Sequence, residues 1–344
     1  MKICFATYES VPLAKGGPFV KIMEMKKQLE TMGNEVELFN MWQTNEKLND
    51  FDIIHLVGSN LSIFGLARSL KFRSIKFLVE PVFFSRRSPA QLKFISSFDA
   101  LNKKIIPGFW HDYGFIRDIC SWAELVLPNT TAEKELLCEG FNIPETKFRI
   151  LPNGVSEQYL NADPSLFTKK YGVTDFILTV GHIGPKRKNI LALVKALEKI
   201  DHPSVIIGKM LETEETSEVK EVLSRCKTIN WIDELAFDSP LLASAYAACN
   251  VFALPSRFET PGIAALEAGL AGAKIVITPH GGTKEYFGTM AEYINPYSVD
   301  SIQNGIVSAL NRKKNSVLQN HIRSEFLWSK IAEKTLAVYK SVPQ

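Results

Sequence analysis

Short apolar runs alternate with longer amphipathic stretches along this chain, and each pair predicts a β-strand followed by an α-helix. Residues 2–8 form a mainly apolar run that predicts the first strand, and residues 19–32 carry apolar side chains at helical spacing. Gly33 ends that helix, and residues 35–39 alternate as the next strand. Further strands of this half are predicted at residues 53–57, 76–79 and 125–128.

The second half repeats the same order of elements. The pattern predicts a strand at 176–181, a helix at 190–200, a strand at 204–208, a helix at 214–226, a strand at 251–254, a helix at 263–269 and a strand at 274–278. Alternating βα units predict parallel sheets covered by helices on both faces, an α/β fold. A polar stretch near residues 155–172 indicates a boundary, so we expect domains at 1–165 and 166–325, with a closing amphipathic helix within 326–344.

Composition limits the class of protein. The 344 residues are 46% hydrophobic and 22% charged, which is typical of a globular chain of two domains. No apolar run approaches the roughly 18 residues of a membrane-spanning helix. Five scattered cysteines without CxxC spacing argue against a disulfide framework or a zinc site and favour a cytoplasmic protein. The six histidines also lack metal-ligand spacing.

The charge is distributed unevenly. The net charge of +3 is too small to indicate nucleic-acid binding, and the cations are not interleaved with aromatic residues in a recognisable motif. Between residues 61 and 117, however, ten Lys and Arg face three acids, a local balance of +7. This segment is either an ordinary solvated surface or a face for anionic lipid headgroups or a phosphate-linked acceptor. The second interpretation places the protein at the inner face of a membrane.

Two loops between a strand and a helix could bind phosphate, because ligands of open α/β sheets lie at the carboxyl ends of the strands. Gly16 and Gly17, followed by Pro18, allow close backbone approach at a helix start. In the second half, residues 181–189 contain three consecutive cations, Lys186 to Lys188. Such a cluster is either solvated or faces an anion, for which phosphate is the natural candidate.

Two carboxylates mark a third loop. Glu259 falls in a turn and Glu267 about one turn into the following helix, with backbones on the order of 10 Å apart. That separation exceeds the roughly 5–5.5 Å of a retaining glycosidase pair and lies at the upper limit for an inverting one, roughly 9.5 Å. Together with the phosphate loops it disfavours a glycosidase. The two acids could instead accept hydrogen bonds from hydroxyls at two ends of one extended ligand. Gly262 and the backbone amides after it offer a second anion site at the helix start.

These motifs together resemble glycosyltransferase family 4. The matching stretches are KGGPFVKIMEMKKQLETMGNEVELF, ILPNGV, TVGHIGPKRKN, HGGTKEYFG and the Glu, seven residues, Glu signature from Glu259 to Glu267. The resemblance runs along nearly the whole chain. It implies a GT-B architecture: two Rossmann-like domains with parallel sheets facing a central cleft, and a C-terminal helix that crosses back to the first domain.

The resemblance also implies roles for individual residues. Glu259 would hold hydroxyls of the donor sugar, Glu267 would hold the nucleotide ribose, and Lys188 with Arg187 would neutralise the donor diphosphate. The remaining predicted donor contacts are the backbone amides of Gly16, Gly17, Gly262 and Ile263, together with Trp231 and Ile232, which flank the base.

Two positions depart from the family pattern. His182 stands where the family usually has Arg, so the neighbouring cations would supply the missing charge. Glu80 and Pro81 follow the strand after which the family often carries a donor-contacting His. His111, in GFWHDYG, is a candidate catalytic replacement, with a loop histidine of no catalytic role as the alternative.

The expected activity is transfer of a hexosyl or related sugar from a UDP-, GDP- or ADP-linked donor to a glycan or lipid-linked acceptor. The resemblance implies retention of configuration, in cell-surface polysaccharide or glycolipid synthesis. Cations and helix amino ends can stabilise the leaving diphosphate, and no DxD motif lies in the candidate loops, so we expect neither metal nor cofactor. The alternatives are another nucleotide-sugar enzyme of this architecture, an epimerase or an inverting transferase, or a non-catalytic nucleotide-sugar-binding subunit.

Overall fold

The computed structural model describes residues 1–14, 16–42, 45–105 and 111–342. The chain divides into two compact units. The first unit is Met1–Asn153 together with Trp328–Gln344, and the second unit is Gly154–Leu327. Each unit is built on its own parallel sheet.

The described part of the first unit contains a five-stranded sheet in the order β2-β1-β3-β4-β5. Its strands are β1 (Lys2–Thr7), β2 (Glu35–Leu38), β3 (Ile53–Val57), β4 (Leu78–Glu80) and β5 (Leu125–Val126). Its helices are α1 (Val11–Ala14), α2 (Gly17–Thr31), α3 (Leu61–Phe72), α4 (Pro89–Ile105), α5 (Asp112–Trp122) and α6 (Thr131–Phe141). Every residue of β3 is buried, as expected for a central parallel strand covered on both faces.

The second unit contains, within the described residues, a six-stranded sheet in the order β11-β10-β9-β6-β7-β8. Its strands are β6 (Ile177–Val180), β7 (Ser204–Ile207), β8 (Ile229–Ile232), β9 (Val251–Leu254), β10 (Lys274–Ile277) and β11 (Glu292–Tyr293). Its helices are α7 (Ser165–Tyr171), α8 (Ile190–Leu197), α9 (Glu214–Arg225), α10 (Pro240–Ala248), α11 (Ile263–Leu270), α12 (Thr283–Phe287), α13 (Val299–Asn311) and α14 (Val317–Glu325).

The closing helix α15 (Trp328–Lys340) belongs to the first unit, where Trp328, Ile331 and Tyr339 pack in the same apolar cluster as α2. The sequence places the start of this helical run at Phe326. Phe326 and Leu327 instead pack in the core of the second unit, and the Phe326 carbonyl accepts a hydrogen bond from the Val155 amide. The change of unit therefore falls between residues 327 and 328.

The chain first passes from the first unit to the second between Asn153 and Gly154, just before the polar stretch near residues 155–172 that the sequence indicates as the boundary. Residues 154–165, which the sequence assigns to the first domain, lie in the second unit. Val155 and Tyr159 are buried there, and the Tyr159 hydroxyl donates to the Phe237 carbonyl at 2.9 Å. The apolar side chains, and not the polar residues around them, decide where this segment packs. Among the described helices, none is long and apolar enough to cross a bilayer.

Candidate functional site

Two cations converge on one carboxylate oxygen in the second unit. Lys188 Nζ donates to Glu259 Oε1 at 2.8 Å, and Arg187 Nη1 lies 3.1 Å from the same oxygen. The Glu259 side chain is only 7% exposed, whereas that of Arg187 is 41% exposed. The carboxylate is therefore covered, while the cations above it remain accessible to a ligand.

The protonation state of Glu259 follows from these neighbours. Burial on its own raises the pKa of a carboxyl group, but Lys188 and Arg187 outweigh it and hold the pKa of Glu259 at about 2. The group is ionised at neutral pH, so it can only accept hydrogen bonds. Sugar hydroxyls are donors that such a group can bind.

The two loops that carry these residues are fastened to each other. Asn189, at the start of α8, adopts a left-handed conformation that Asn tolerates better than most residues. Its buried amide donates to the Pro255 carbonyl at 2.9 Å and to the Pro296 carbonyl at 2.7 Å. The Arg257 amide donates to the Arg187 carbonyl at 2.8 Å. The loops after β6 and β9 are therefore held side by side.

A glycine turn fixes the backbone of Glu259. The Glu259 amide donates to the His280 carbonyl at 3.1 Å, and the Gly282 amide donates to the Glu259 carbonyl at 3.0 Å. Gly281, between them, has φ +91°, and a Cβ atom on it would lie 2.0 Å from the Glu259 carbonyl oxygen. No side chain fits that space, which gives the glycine at position 281 a structural reason.

The start of α11 follows Glu259 directly. Gly262 caps this helix in a left-handed conformation, with φ +88°. The first amides of a helix lack intrahelical partners, so the N–H groups from Ile263 onward can bind an anion. Glu267 lies one turn into the helix and is largely buried, as its apolar neighbours predict. Tyr246 of α10, which the sequence does not single out, donates its hydroxyl to Glu267 Oε2 at 2.7 Å.

The remaining residues predicted in this unit occupy two further strand ends. Trp231 is 43% exposed, and its Nε1 donates to the Gly208 carbonyl at 2.9 Å. Ile232 packs against the core beside it. His182 follows β6, and its Nδ1 is buried without a hydrogen-bond partner. Trp231 therefore presents a fixed aromatic ring to solvent, a feature that suits stacking on a base.

The predicted residues of the first unit have different surroundings. Gly16 and Gly17 are exposed at the amino end of α2, where Gly16 is the N-cap. His111 is the N-cap of α5: its Nδ1 accepts from the Tyr113 amide at 3.2 Å, and its own amide donates to Asp99 at 3.1 Å. These contacts give His111 a structural role at a helix start. Lys15 and residues 108–110, parts of two motifs that the sequence singles out, lie outside the described residues.

A buried polar network below the carboxyl edge of the first sheet was not predicted. Lys21 of α2 donates to Glu80 at the end of β4 and, at 2.9 Å, to Asn129 Oδ1. Glu133 of α6 accepts from the amides of Phe83 and Asn129. Glu80 is thus the buried partner of Lys21, which explains an acid at this position. An apolar stretch interrupted by a lone acid, as in FLVEPVFF, is the sequence signal for such a pair.

Comparison with known proteins agrees with this description. Residues 167–324 match the family model for glycosyl transferases group 1. An uncharacterized glycosyltransferase of Methanocaldococcus jannaschii is 27% identical over 231 residues, which cover 60% of this chain and 57% of that protein. The chain spans little more than half the length of the curated relatives it matches.

Solved structures match over the whole chain. A glycosyltransferase from Rickettsia africae has a TM-score of 0.75 at 16% identity, covering 99% of this chain and 98% of that one. Anabaena HepE, solved in complex with UDP and glucose, has a TM-score of 0.72 at 16% identity, covering 99% and 100%. The predicted fold class is confirmed: this is a GT-B-type chain with two Rossmann-like units. The comparisons support a glycosyltransferase; the narrower resemblance to family 4 stays a prediction.

Proposed function

We propose that this protein is a glycosyltransferase that moves a hexosyl or related sugar from a nucleoside-diphosphate donor to an acceptor hydroxyl. The observation that carries the proposal is the cluster of Lys188, Arg187 and Glu259 at the carboxyl edge of the second sheet. Cations for a diphosphate lie there beside a permanently ionised acceptor for sugar hydroxyls. The match to glycosyl transferases group 1 over residues 167–324 and the UDP-bound HepE neighbour add support.

In this proposal the second unit binds the donor. Glu267, oriented by Tyr246, accepts hydrogen bonds from the ribose, and the Trp231 ring and Ile232 flank the base. The amides at the start of α11 meet the phosphates together with Lys188 and Arg187. The first unit binds the acceptor, and phosphate binding by the amides of Gly16 and Gly17 stays a prediction from the sequence. The proposal covers UDP-, GDP- and ADP-linked donors alike.

The reaction proceeds with retention. The acceptor hydroxyl attacks the anomeric carbon on the face from which the diphosphate departs, the sugar–phosphate bond breaks, and the hydroxyl proton passes to the departing phosphate oxygen. Lys188 and Arg187 stabilise the negative charge that develops on that group, so the proposal requires neither a metal nor a cofactor. His111 caps α5 through Nδ1. A hydrogen bond from His111 to a substrate would therefore have to use its other ring nitrogen, Nε2.

The acceptor is a glycan or a lipid-linked saccharide, and the protein works at the inner face of an anionic membrane during polysaccharide or glycolipid synthesis. Phe94 and Phe98 of α4 support this part, because they are 74% and 57% exposed and lie one turn apart on the same helix. Of the three acids between residues 61 and 117, Glu80 and Asp99 are buried. Seven cations of the segment are exposed: Arg68, Lys71, Arg73, Lys76, Arg86, Arg87 and Lys93. Exposed aromatic rings beside cations suit an anionic bilayer surface.

Donor use is the first test. The protein is screened against UDP-, GDP- and ADP-sugars by thermal shift, because a ligand that binds only the folded state raises the melting temperature. The best donor is then incubated with acceptor oligosaccharides in EDTA, and the anomeric configuration of the product is read by NMR. Loss of transfer in folded Lys188→Ala and Glu259→Ala variants is expected. Full activity in both would refute the site.

The same assay separates the alternatives. Isomerised nucleotide sugar as the product would identify an epimerase, and an inverted linkage would identify an inverting transferase. Donor binding without turnover across the acceptor panel would favour a non-catalytic binding subunit. The first two results are read from the product spectrum, and the third is read from a thermal shift without any product.

The membrane proposal has its own test. Sedimentation with vesicles containing anionic phosphatidylglycerol is compared for the wild type and a Phe94→Ser/Phe98→Ser double variant. We expect the wild type to sediment at low salt, the variant to bind less, and added salt to release both. Equal binding to neutral and anionic vesicles would contradict the proposal.

A further inference from the structure

The cations assigned to the donor diphosphate are already paired in the described structure. Lys188 and Arg187 both reach the same oxygen of Glu259, at 2.8 and 3.1 Å. Glu259 is buried and ionised, so this is a low-dielectric cluster in which two positive charges meet one negative charge. A phosphate that comes to the same cations competes with the carboxylate for their N–H groups.

The backbone of Glu259 is held in place, so the residue cannot move away from the cations when a ligand binds. Its amide and carbonyl are both hydrogen-bonded to the turn at residues 280–282, and the close approach of Gly281 fixes that backbone. The carboxylate can turn only about its own side-chain bonds. Once Lys188 and Arg187 have turned to a phosphate, the described contacts leave the Ser256 hydroxyl as the side-chain donor beside the carboxylate. The carboxylate then needs a further donor, because a buried ionised group that is short of hydrogen bonds is costly.

We propose that Glu259 is a specificity-determining residue that selects sugar-bearing nucleotides over bare nucleoside diphosphates by competing with the diphosphate for Lys188. This inference rests on the proposed function. A sugar donor brings hydroxyls that replace Lys188 at the carboxylate, so the exchange leaves every group paired. A bare nucleoside diphosphate also binds Lys188, but it has no sugar hydroxyl to donate to the Glu259 carboxylate.

Charge strengthens the discrimination. The terminal phosphate of a bare nucleoside diphosphate carries one substituent, the anhydride oxygen, and its second ionisation, with a pKa near 6, is largely complete at pH 7. In a sugar donor the same phosphate is also esterified to the sugar, so it lacks that second charge. Glu259 therefore repels the nucleoside diphosphate more than the donor, and the product that remains after transfer is the ligand it disfavours.

The test compares two dissociation constants, for a nucleoside diphosphate and for the matching nucleotide sugar, measured by isothermal titration calorimetry on the full chain. The base is chosen from UDP, GDP and ADP by the largest thermal shift. In Glu259→Gln we expect the nucleoside diphosphate to bind about tenfold tighter than in the wild type. The affinity of Glu259→Gln for the nucleotide sugar should rise by less than this or should fall. The ratio of the two dissociation constants, which measures the preference for the sugar-bearing ligand, should therefore change by about tenfold.

A matched control removes the same charge elsewhere in the unit. Glu198 follows the carboxyl-terminal end of α8, at the opposite edge of the sheet from the loops, and pairs there with Arg225. Glu198→Gln should leave both dissociation constants unchanged. Glu259→Asp, which keeps the charge on a shorter side chain, should fall between the wild type and Glu259→Gln, and serves as the second variant if Glu259→Gln does not fold.

The outcomes separate this inference from the proposed function. Unchanged or weaker binding of the nucleoside diphosphate to folded Glu259→Gln, or to Glu259→Asp in its place, would overturn the selective role of Glu259 while leaving the donor site intact. Failure of the wild type to bind any nucleotide or nucleotide sugar would overturn the proposed function itself. Tighter binding in both Glu259→Gln and Glu198→Gln would indicate a general charge effect and would also refute the inference.

Discussion

The hydroxyl of Tyr339 lies 2.6 Å from Nδ1 of His55, although 284 residues separate them along the chain. His55 is in the middle of β3 and Tyr339 is in the last turn of α15, and both side chains are buried. Burial, with help from the Lys21 ammonium, lowers the pKa of His55 to about 3. The imidazole is therefore neutral at physiological pH and bonds to the hydroxyl without carrying a charge into the core.

Tyr339→Phe should weaken the attachment of α15 to the first sheet. The change leaves one imidazole nitrogen of His55 without its partner, and we expect a loss of about 1–3 kcal/mol of unfolding free energy. Hydrogen exchange followed by mass spectrometry should show faster exchange in β3 and α15. Tyr293→Phe is the control, because its hydroxyl bonds at an exposed site to the Gly288 carbonyl. Equal effects of the two changes would contradict the special role of Tyr339.

Glu133 should make the stability of the first unit depend on pH. Burial raises the pKa of this carboxyl group from 4.5 to about 7, although the amides of Phe83 and Asn129 lower it. The folded state thus holds the proton more tightly than the unfolded state. The stabilisation is complete below pH 4.5 and is lost as the pH rises through 7, a change of about 3 kcal/mol.

Urea denaturation between pH 4.5 and 7.5 checks this prediction. The wild type should lose stability across that range relative to Glu133→Gln, which cannot titrate. Glu145→Gln is the control, because Lys134 lowers the pKa of the exposed Glu145 and its titration falls at lower pH. Parallel pH profiles of the wild type and Glu133→Gln would show that Glu133 is not responsible.

Gly281→Ala should damage the site more than the fold. The added methyl group would lie 2.0 Å from the Glu259 carbonyl oxygen, so the loop that carries Glu259 has to move. We expect a loss of transfer activity of about 100-fold or more. Gly272→Ala is the matched control. Gly272 has nearly the same φ, +90°, but the nearest atom to an added methyl group would be 3.9 Å away. This variant should lose only about 1–2 kcal/mol through backbone strain and should stay active. Similar activities of the two variants would count against this reason for the glycine.

Tyr246→Phe should weaken nucleotide binding. Its hydroxyl donates to Glu267 Oε2 from a buried position, and without it the carboxylate loses one of the hydrogen bonds that orient it. We expect about a 3- to 10-fold increase in the dissociation constant for the nucleoside diphosphate, with the fold retained. Calorimetry against the best nucleotide measures it. If Glu267→Gln binds the nucleoside diphosphate weakly but Tyr246→Phe binds it as the wild type does, Glu267 does not need the Tyr246 hydroxyl.

Hydrophobic periodicity placed the strands and helices that it predicted close to their observed bounds, because it reports which face each element buries; α3 to α6 and β8 were not predicted. The strand at 251–254 matches β9, and the helix at 263–269 differs from α11 by one residue. Boundaries differ most where a cap or a tertiary contact decides them. The helical pattern near Phe326 continues across the junction at residues 327–328, and only packing separates the two sides.

The candidate site could be assembled from sequence only in part. Lys188 and Glu259 each carry a local signal, a cation run and an acid in a turn, but their contact spans 71 residues. Tyr246 gives no such signal, because a tyrosine in an apolar helix looks like core. The pairing of Lys21 with Glu80 is likewise a product of the sheet, which brings the end of β4 against α2.

The position of α15 sets the order in which the two units can be completed on the ribosome. The chain that builds the first sheet emerges first, but the helix that carries Trp328 and Tyr339 emerges only after all 174 residues of the second unit, 154–327. Until then the apolar faces of Ile22 and Met25 lack the partner that covers them in the finished protein. Synthesis of the first unit therefore begins first and is completed last. Its nascent form is the one that needs protection from aggregation for the longest time.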